Sequence, residues 1–181
     1  MTSITRTGMT LILAASLAAC APVAPSGETA RNQIVQHSAA ALRDMNRVDP
    51  GVDELVRKGH AYAMFPEVVK GGAGLGGAHG RGTVHEKGQH VGFADLSFAS
   101  IGAQIGGQTY SELIVFENKE ALSRFQQGSL EFTAGVSAII LNTGVAANAR
   151  FVDGVLVIVQ PLAGAMAEAA IGGQQFRYVP K

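Results

Sequence analysis

Gly72, Gly74 and Gly77 stand at the G-x-G-x-x-G spacing within KGGAGLGGAHGRG, residues 70–82. In a dinucleotide-binding unit this spacing lets backbone amides and a helix N-terminus hold a pyrophosphate, with an acidic residue about 20 positions on at the ribose. Asp95 stands near that distance. The chemistry needs a helix that opens at the third glycine. After Gly77 the chain reads AHGRGTVHEKGQHVGFADL, with four further glycines and no apolar residues at a 3.6 period. No phosphate cradle is expected there. The glycines are expected instead to bend strands and to let neighbouring chain segments come close.

His79, His85 and His90 pose a second chemical question, that of a zinc site. Glu86-Lys87-Gly88 reads as a three-residue hairpin turn with glycine in its left-handed position. That turn sets Val84 opposite His90, Thr83 opposite Val91, Arg81 opposite Phe93 and His79 opposite Asp95. His85 and His90 then point to opposite faces, and His79 and His85 lie about 20 Å apart along one strand. They are not expected to share a metal. His79 beside Asp95 is the one pairing able to tune a histidine, and it is the place where a hydrolase would need a pocket. Ser97, Ser100, Ser111, Ser123, Ser129 and Ser137 have no nucleophile-elbow context, and no two carboxylates are placed for acid and base work. A non-catalytic protein without a cofactor is expected.

The last chemically distinctive residue is Cys20, the only cysteine of the 181 residues. Arg6 and the amino terminus precede an apolar run, Met9 to Ala19, that is about half of the roughly 20 residues needed to cross a bilayer as a helix. Residues 1–19 read as a signal peptide. Leu17-Ala18-Ala19-Cys20 looks like the lipobox of bacterial lipoproteins, in which the cysteine is acylated. Two or more acyl chains hold a protein stably on a membrane. Residues 20–27, CAPVAPSG, then read as the lipidated cysteine and a short tether. Ala21 and Pro22 lack the aspartate that in some bacteria retains lipoproteins on the inner membrane, which by analogy favours the outer membrane.

Residues 28–181 suit one domain with a real core. Loss of Arg6 with the leader leaves 13 basic side chains against 14 acidic ones. This near neutrality, with no basic run, argues against nucleic acid as a partner. Ile34, Val35, Leu42 and Met45 predict an amphipathic helix over 28–46. Asp49, Pro50 and Gly59 bracket a second helix that carries Val52, Leu55 and Val56. AYAMF predicts a short strand stopped by Pro66, and SIGAQIGGQTYSELIVFEN a long strand entering the core. Asn118 caps an expected helix over 119–127 whose Leu122 and Phe125 face inward. LEFTAGVSAIIL and VLVIV read as further strands, with turns at Asn142-Thr143-Gly144 and Asp153-Gly154. The expected architecture is α+β, a glycine-rich, mostly antiparallel curved sheet or barrel with amino-terminal helices and one mid-chain helix.

The runs ELVRKGHAYAMFPEVVKGGAGLGGAHGRGTV, SIGAQIGGQTYSELIVFENKEALSRF and PLAGAMAEAAIGG together resemble the SYLF domain family of lipid-binding proteins, in its bacterial lipoprotein branch. The resemblance covers roughly residues 30–178. It implies a compact curved sheet or barrel with packed helices, and a membrane lipid as partner. Eukaryotic relatives bind phosphoinositide membranes, partly through basic residues of an amino-terminal helix, and some fungal ones bind actin filaments. Carried onto this chain, the candidate contacts to anionic headgroups are Arg43, Arg47, Arg57, Lys58 and Lys70. The expected function is that of an envelope lipoprotein, lipid-anchored and non-catalytic. The alternative is an envelope module that binds a protein, actin-like or host-derived.

Overall fold

The structure is a computed structural model and describes residues 27–130 and 138–181. The expected leader, Cys20 and most of the expected tether lie outside the described residues, as does the middle of the strand expected over 130–141.

Two helices open the fold. α1 spans Glu28–Val48 and α2 spans Gly51–Lys58. Asp49 between them is 4% exposed, and its carboxylate accepts from the Gly51 amide at 3.0 Å, which satisfies an orphan donor at the start of α2. Three long strands follow or frame the rest: β1 Ala61–Glu86, β2 Gln89–Phe116 and, at the end of the chain, β4 Val155–Pro180. α3 covers Lys119–Gln126, capped as expected by Asn118, whose side chain accepts from the Ala121 amide at 2.9 Å. A two-residue strand β3, Ile139–Ile140, and a single helical turn α4, Val145–Asn148, complete the set. The sheet runs β1-β2-β4-β3, antiparallel except for β3 against β4, and stays open, with β1 and β3 outermost. The α+β single domain with a mostly antiparallel sheet is therefore observed.

Pro66 does not end a strand. β1 runs through it, and the disruption is absorbed by a register shift between Phe65 and Val68. A second shift between Ala73 and Leu75, with Gly74 at φ 76°, lets β1 reverse direction. Its two halves then meet edge to edge. Lys87 N–H donates to His60 O at 3.1 Å, the His60 and Glu86 side chains meet at 2.8 Å, and the Tyr62 and His85 rings stack 4.7 Å apart. Glycine makes this approach possible. A Cβ on Gly80 would sit 2.7 Å from Val68 Cγ2 and 3.0 Å from Glu67 O, and one on Gly82 would collide with the Met64 carbonyl.

Because β2 and β4 follow the same curve, the two ends of the ribbon enclose one apolar interior. Phe65, Ile114, Phe116 and Val157 of one end pack with Val84, Leu96 and Phe176 of the other, and α3 contributes Leu122 and Phe125. Phe125 bridges the two sides, 5.0 Å from the Phe116 ring and 4.9 Å from Phe176. Each such fully buried side chain contributes about 1.5–3 kcal/mol. A second cluster on the outer surface of the sheet joins Met64, Leu113, Val115, Leu156 and Ile158 to Met45 of α1, Val52 of α2 and Ala146 of α4.

The hairpin register differs from the sequence expectation. The turn has two residues, Lys87 and Gly88, both at positive φ (49° and 78°), not three. One extra residue on β2 between His90 and Gly92 compensates, so Val84 pairs with Gly92, Thr83 with Phe93, Arg81 with Asp95 and His79 with Ser97. A slip of two leaves residues 79–84 and 92–97 on the faces that the expected register assigns them, and His90 changes sides.

Candidate functional site

Alternation along β1 and β2 leaves the curved middle of the ribbon with unusual chemistry. From Gly71 to Ala78 and from Leu96 to Ser111 the chain has no charged residue. Its large aliphatics are solvent-facing: Leu75 is 69% exposed, Ile101 67%, Ile105 69% and Val69 54%. Leu75 and Ile101 are register partners, and Ile105 faces Ala73. Paired strands place such residues on one face, so an uncharged aliphatic surface caps the bend. Lys70 stands at its base with its ammonium 4.6 Å from the Phe98 ring centroid.

Three of the five cations expected to meet headgroups are paired within their own helices. Arg47 is paired with Asp44, Arg57 with Asp53 at 2.9 Å and Lys58 with Glu54 at 2.5 Å, each within its own helix and exposed. Lys58 holds the Glu54 carboxyl below its usual range. Such exposed pairs add little to stability and leave their helices nearly neutral. Arg43 is exposed and carries no ion pair among the described residues. Lys70 is the one cation of the five that adjoins the aliphatic bend.

A groove of about 650 Å³ lies between α1 and the sheet. Ile34, Ala40 and Ala41 form its helical wall, while Val69 and Leu162 connect it to the bend. Its polar groups come from four parts of the chain: Arg81 and His79, Gln160, Glu67 and Asp44. Arg81 approaches Asp95 at 3.4 Å, within ion-pair range but outside hydrogen-bond geometry, and its buried Nε has no hydrogen-bond partner. The Gln160 Oε1 is likewise buried without one. Asp95 Oδ1 is buried without a hydrogen bond as well and faces Arg81 Nε, so these two groups answer each other across the strands as a long ion pair. Burial raises the Asp95 carboxyl, while Arg81, His79 and Arg177 oppose that shift.

The pairing of His79 with Asp95 is corrected: Arg81 is the cross-strand partner of Asp95. The separation of His85 and His90 is corrected too. The extra residue on β2 turns His90 to the outer face, and the two rings sit 5.2 Å apart. They form a row, Tyr62 stacked on His85, His85 beside His90, and His90 edge-on to Phe93 at 4.8 Å, with the Arg31 guanidinium 5.8 Å from the Phe93 centroid. Burial lowers His85 to about 4 and also lowers His90, so both are neutral at pH 7. Among the described residues no three His, Cys, Asp or Glu converge on a point where a metal would sit. The row starts at the seam between the halves of β1, Tyr62 against His85, and continues onto β2.

Sequence reasoning missed the aliphatic bend and the groove. The bend had a signal: Leu75, Ile101 and Ile105 are isolated large residues in long charge-free, glycine-rich runs. The groove had none, because Ile34, Arg81 and Gln160 are brought together only by the reversal of β1. No protein-family model matches the chain, and no curated protein sequence is detectably similar to it.

Proposed function

We propose that this chain is an envelope lipoprotein, acylated at Cys20, whose SYLF-like domain docks on membranes and binds lipid headgroups without catalysing a reaction. The single observation that carries the reading is the bend, an exposed aliphatic surface with no charge of its own and with Lys70 beside it. Aliphatic side chains gain about 25 cal/mol per Å² when removed from water, and a neighbouring ammonium favours an anionic leaflet. The sheet is open with β1 at its edge, and an open sheet edge is costly in hydrocarbon. The bend therefore rests at the interfacial depth and does not span. Arg43, exposed on α1 and without an ion pair among the described residues, is the second candidate for a headgroup contact.

Both core clusters lie between Met45 and Phe176, so a chain begun at Gly27 retains all of them and removes the acyl anchor from the measurement. Flotation of that chain with phosphatidylcholine vesicles, with and without phosphatidylglycerol, tests the reading. Co-flotation that strengthens with the anionic lipid and weakens with salt is expected. Failure to float with either vesicle, together with stoichiometric recovery of a protein partner, would replace it with the protein-binding alternative.

A further inference from the structure

Three of the five histidines gather where the halves of β1 close on each other. His60 and Glu86 touch at 2.8 Å, the Lys87 N–H donates to His60 O at 3.1 Å, Tyr62 stacks on His85 at 4.7 Å, and the His85 and His90 rings stand 5.2 Å apart. His90 Nε2–H donates to Gly92 O at 2.9 Å, and His85 Nε2 lies 3.2 Å from Thr83 Oγ1. Two neutral imidazoles tolerate this spacing. Two imidazolium ions held half-buried at the same spacing repel each other.

The charges around the pair add to that repulsion. From α1, Arg43 lines the same small space as His85, and the Arg31 guanidinium lies over Phe93, against which His90 packs. Lys181 at the chain end opposes a charge on His90, and Arg57 and Lys87 line the space beside His60. The carboxylate of the seam, Glu86, is engaged by His60. Burial keeps His85 and His90 neutral at pH 7. Each half of β1 has its own ladder to β2, residues 61–73 with 105–116 and 75–86 with 89–101, so the seam can part while both ladders hold.

We infer that this end of the seam is an acid-operated latch. Protons taken up by His85 and His90 drive the rings apart, undo the stack on Tyr62 and lift the middle of α1, whose Val35, Ser38 and Leu42 sit over Tyr62, Met64 and Thr83. The aromatic interior around Phe125, on the other face of the sheet, stays packed. The opening is local, distinct from loss of the whole fold, and does not depend on membrane docking.

A thiol probe tests the latch, because a chain begun at Gly27 lacks Cys20, the only cysteine. Ser38→Cys puts a thiol under α1 at a position 3% exposed, and Ala94→Cys puts one in the interior at a position 1% exposed. Each is labelled with dithiodipyridine at pH 7 and pH 4, and its rate is normalised to a free cysteine peptide at the same pH. The normalised rate at Ser38→Cys should rise about tenfold or more in acid, while that at Ala94→Cys hardly changes. Adding His85→Phe and His90→Gln, which leave no ring to protonate, should abolish the rise. Where that pair lowers the melting temperature at pH 7, His85→Phe alone, which keeps a ring against Tyr62, takes its place and should cut the rise severalfold. A flat rate at Ser38→Cys, an equal rise at both thiols, or a rise that persists in the histidine variants overturns the latch.

Discussion

The Glu112 carboxylate accepts a 2.8 Å hydrogen bond from the Gln174 amide across the interior of the folded ribbon. Glu112 belongs to the end of β2 paired with the start of β1, and Gln174 to the end of β4 paired with the start of β2. This bond ties the two ends together just beyond the aromatic cluster. Glu112 is 2% exposed, and burial drives its carboxyl to about 7, against a smaller downward pull from Gln174.

A pH dependence of stability follows from that carboxyl. Below pH 4.5 both folded and unfolded states hold the proton. Between 4.5 and about 7 the unfolded chain releases it and the folded chain keeps it, so the group's contribution to stability declines as pH rises. Glu112→Gln should therefore be more stable than the parent at pH 8, by more than about 1 kcal/mol, with little difference at pH 4. Urea unfolding at the two pH values measures this, and a gain of equal size at both would refute the assignment.

His85 predicts the opposite slope. Its folded value of about 4 lies below the ordinary 6.5, so between pH 6.5 and 4 the unfolded state takes up a proton that the folded state resists. Stability from this site falls as pH falls, and His90 acts in the same direction. His85→Phe keeps a ring against Tyr62 and should lose less of its melting temperature between pH 7 and pH 5 than the parent loses. Thermal scans at those two values decide it.

Asp49 joins helices that are far apart in sequence. Its carboxylate accepts from Gly51 N–H at 3.0 Å and from Ala146 N–H at 2.8 Å, so one buried side chain starts both α2 and α4. Asp49→Ala leaves two donors unsatisfied and should destabilise the domain by about 1–3 kcal/mol. Asp49→Asn, which keeps one acceptor, should destabilise less. Denaturant midpoints of the two variants give the ordering.

Two glycines of the same run should respond differently. A Cβ at Gly80 meets Val68 Cγ2 at 2.7 Å and Glu67 O at 3.0 Å, whereas at Gly77 the nearest atom is Phe98 O at an ordinary 3.5 Å. Gly80→Ala should cost about 1–3 kcal/mol by prising the halves of β1 apart, and Gly77→Ala little. The comparison checks that these glycines serve close packing, and equal tolerance of both would remove that explanation.

The docking reading predicts a clean separation of binding from folding. Leu75→Asp with Ile105→Asp places charge on residues that are 69% exposed and belong to neither core cluster. The melting temperature should stay within a few degrees of the parent, while flotation with phosphatidylglycerol vesicles should drop by about tenfold or more. Unchanged flotation would show that the bend is not the contact.

Local rules sufficed for much of the fold. Helix periodicity and caps placed α1, α2 and α3 because capping residues such as Asn118 act within a single turn, and alternation assigned the inner and outer faces of β1 and β2 because the side-chain period of a strand is two. That the chain runs on as strand at Gly77 and opens no helix there was legible in the sequence, since such a helix has its own signature. What spacing assigned wrongly was the register near His85 and His90, where one extra residue on β2 changes which rings meet. Sequence also did not reveal that β1 passes through Pro66 and closes on itself, for that depends on Gly80 and Gly82 meeting residues about fifteen positions earlier. The groove is a product of that closure. Ile34, Arg81 and Gln160 share no local pattern, and only burial of the aromatic interior, summed over both ends of the ribbon, holds them around one space.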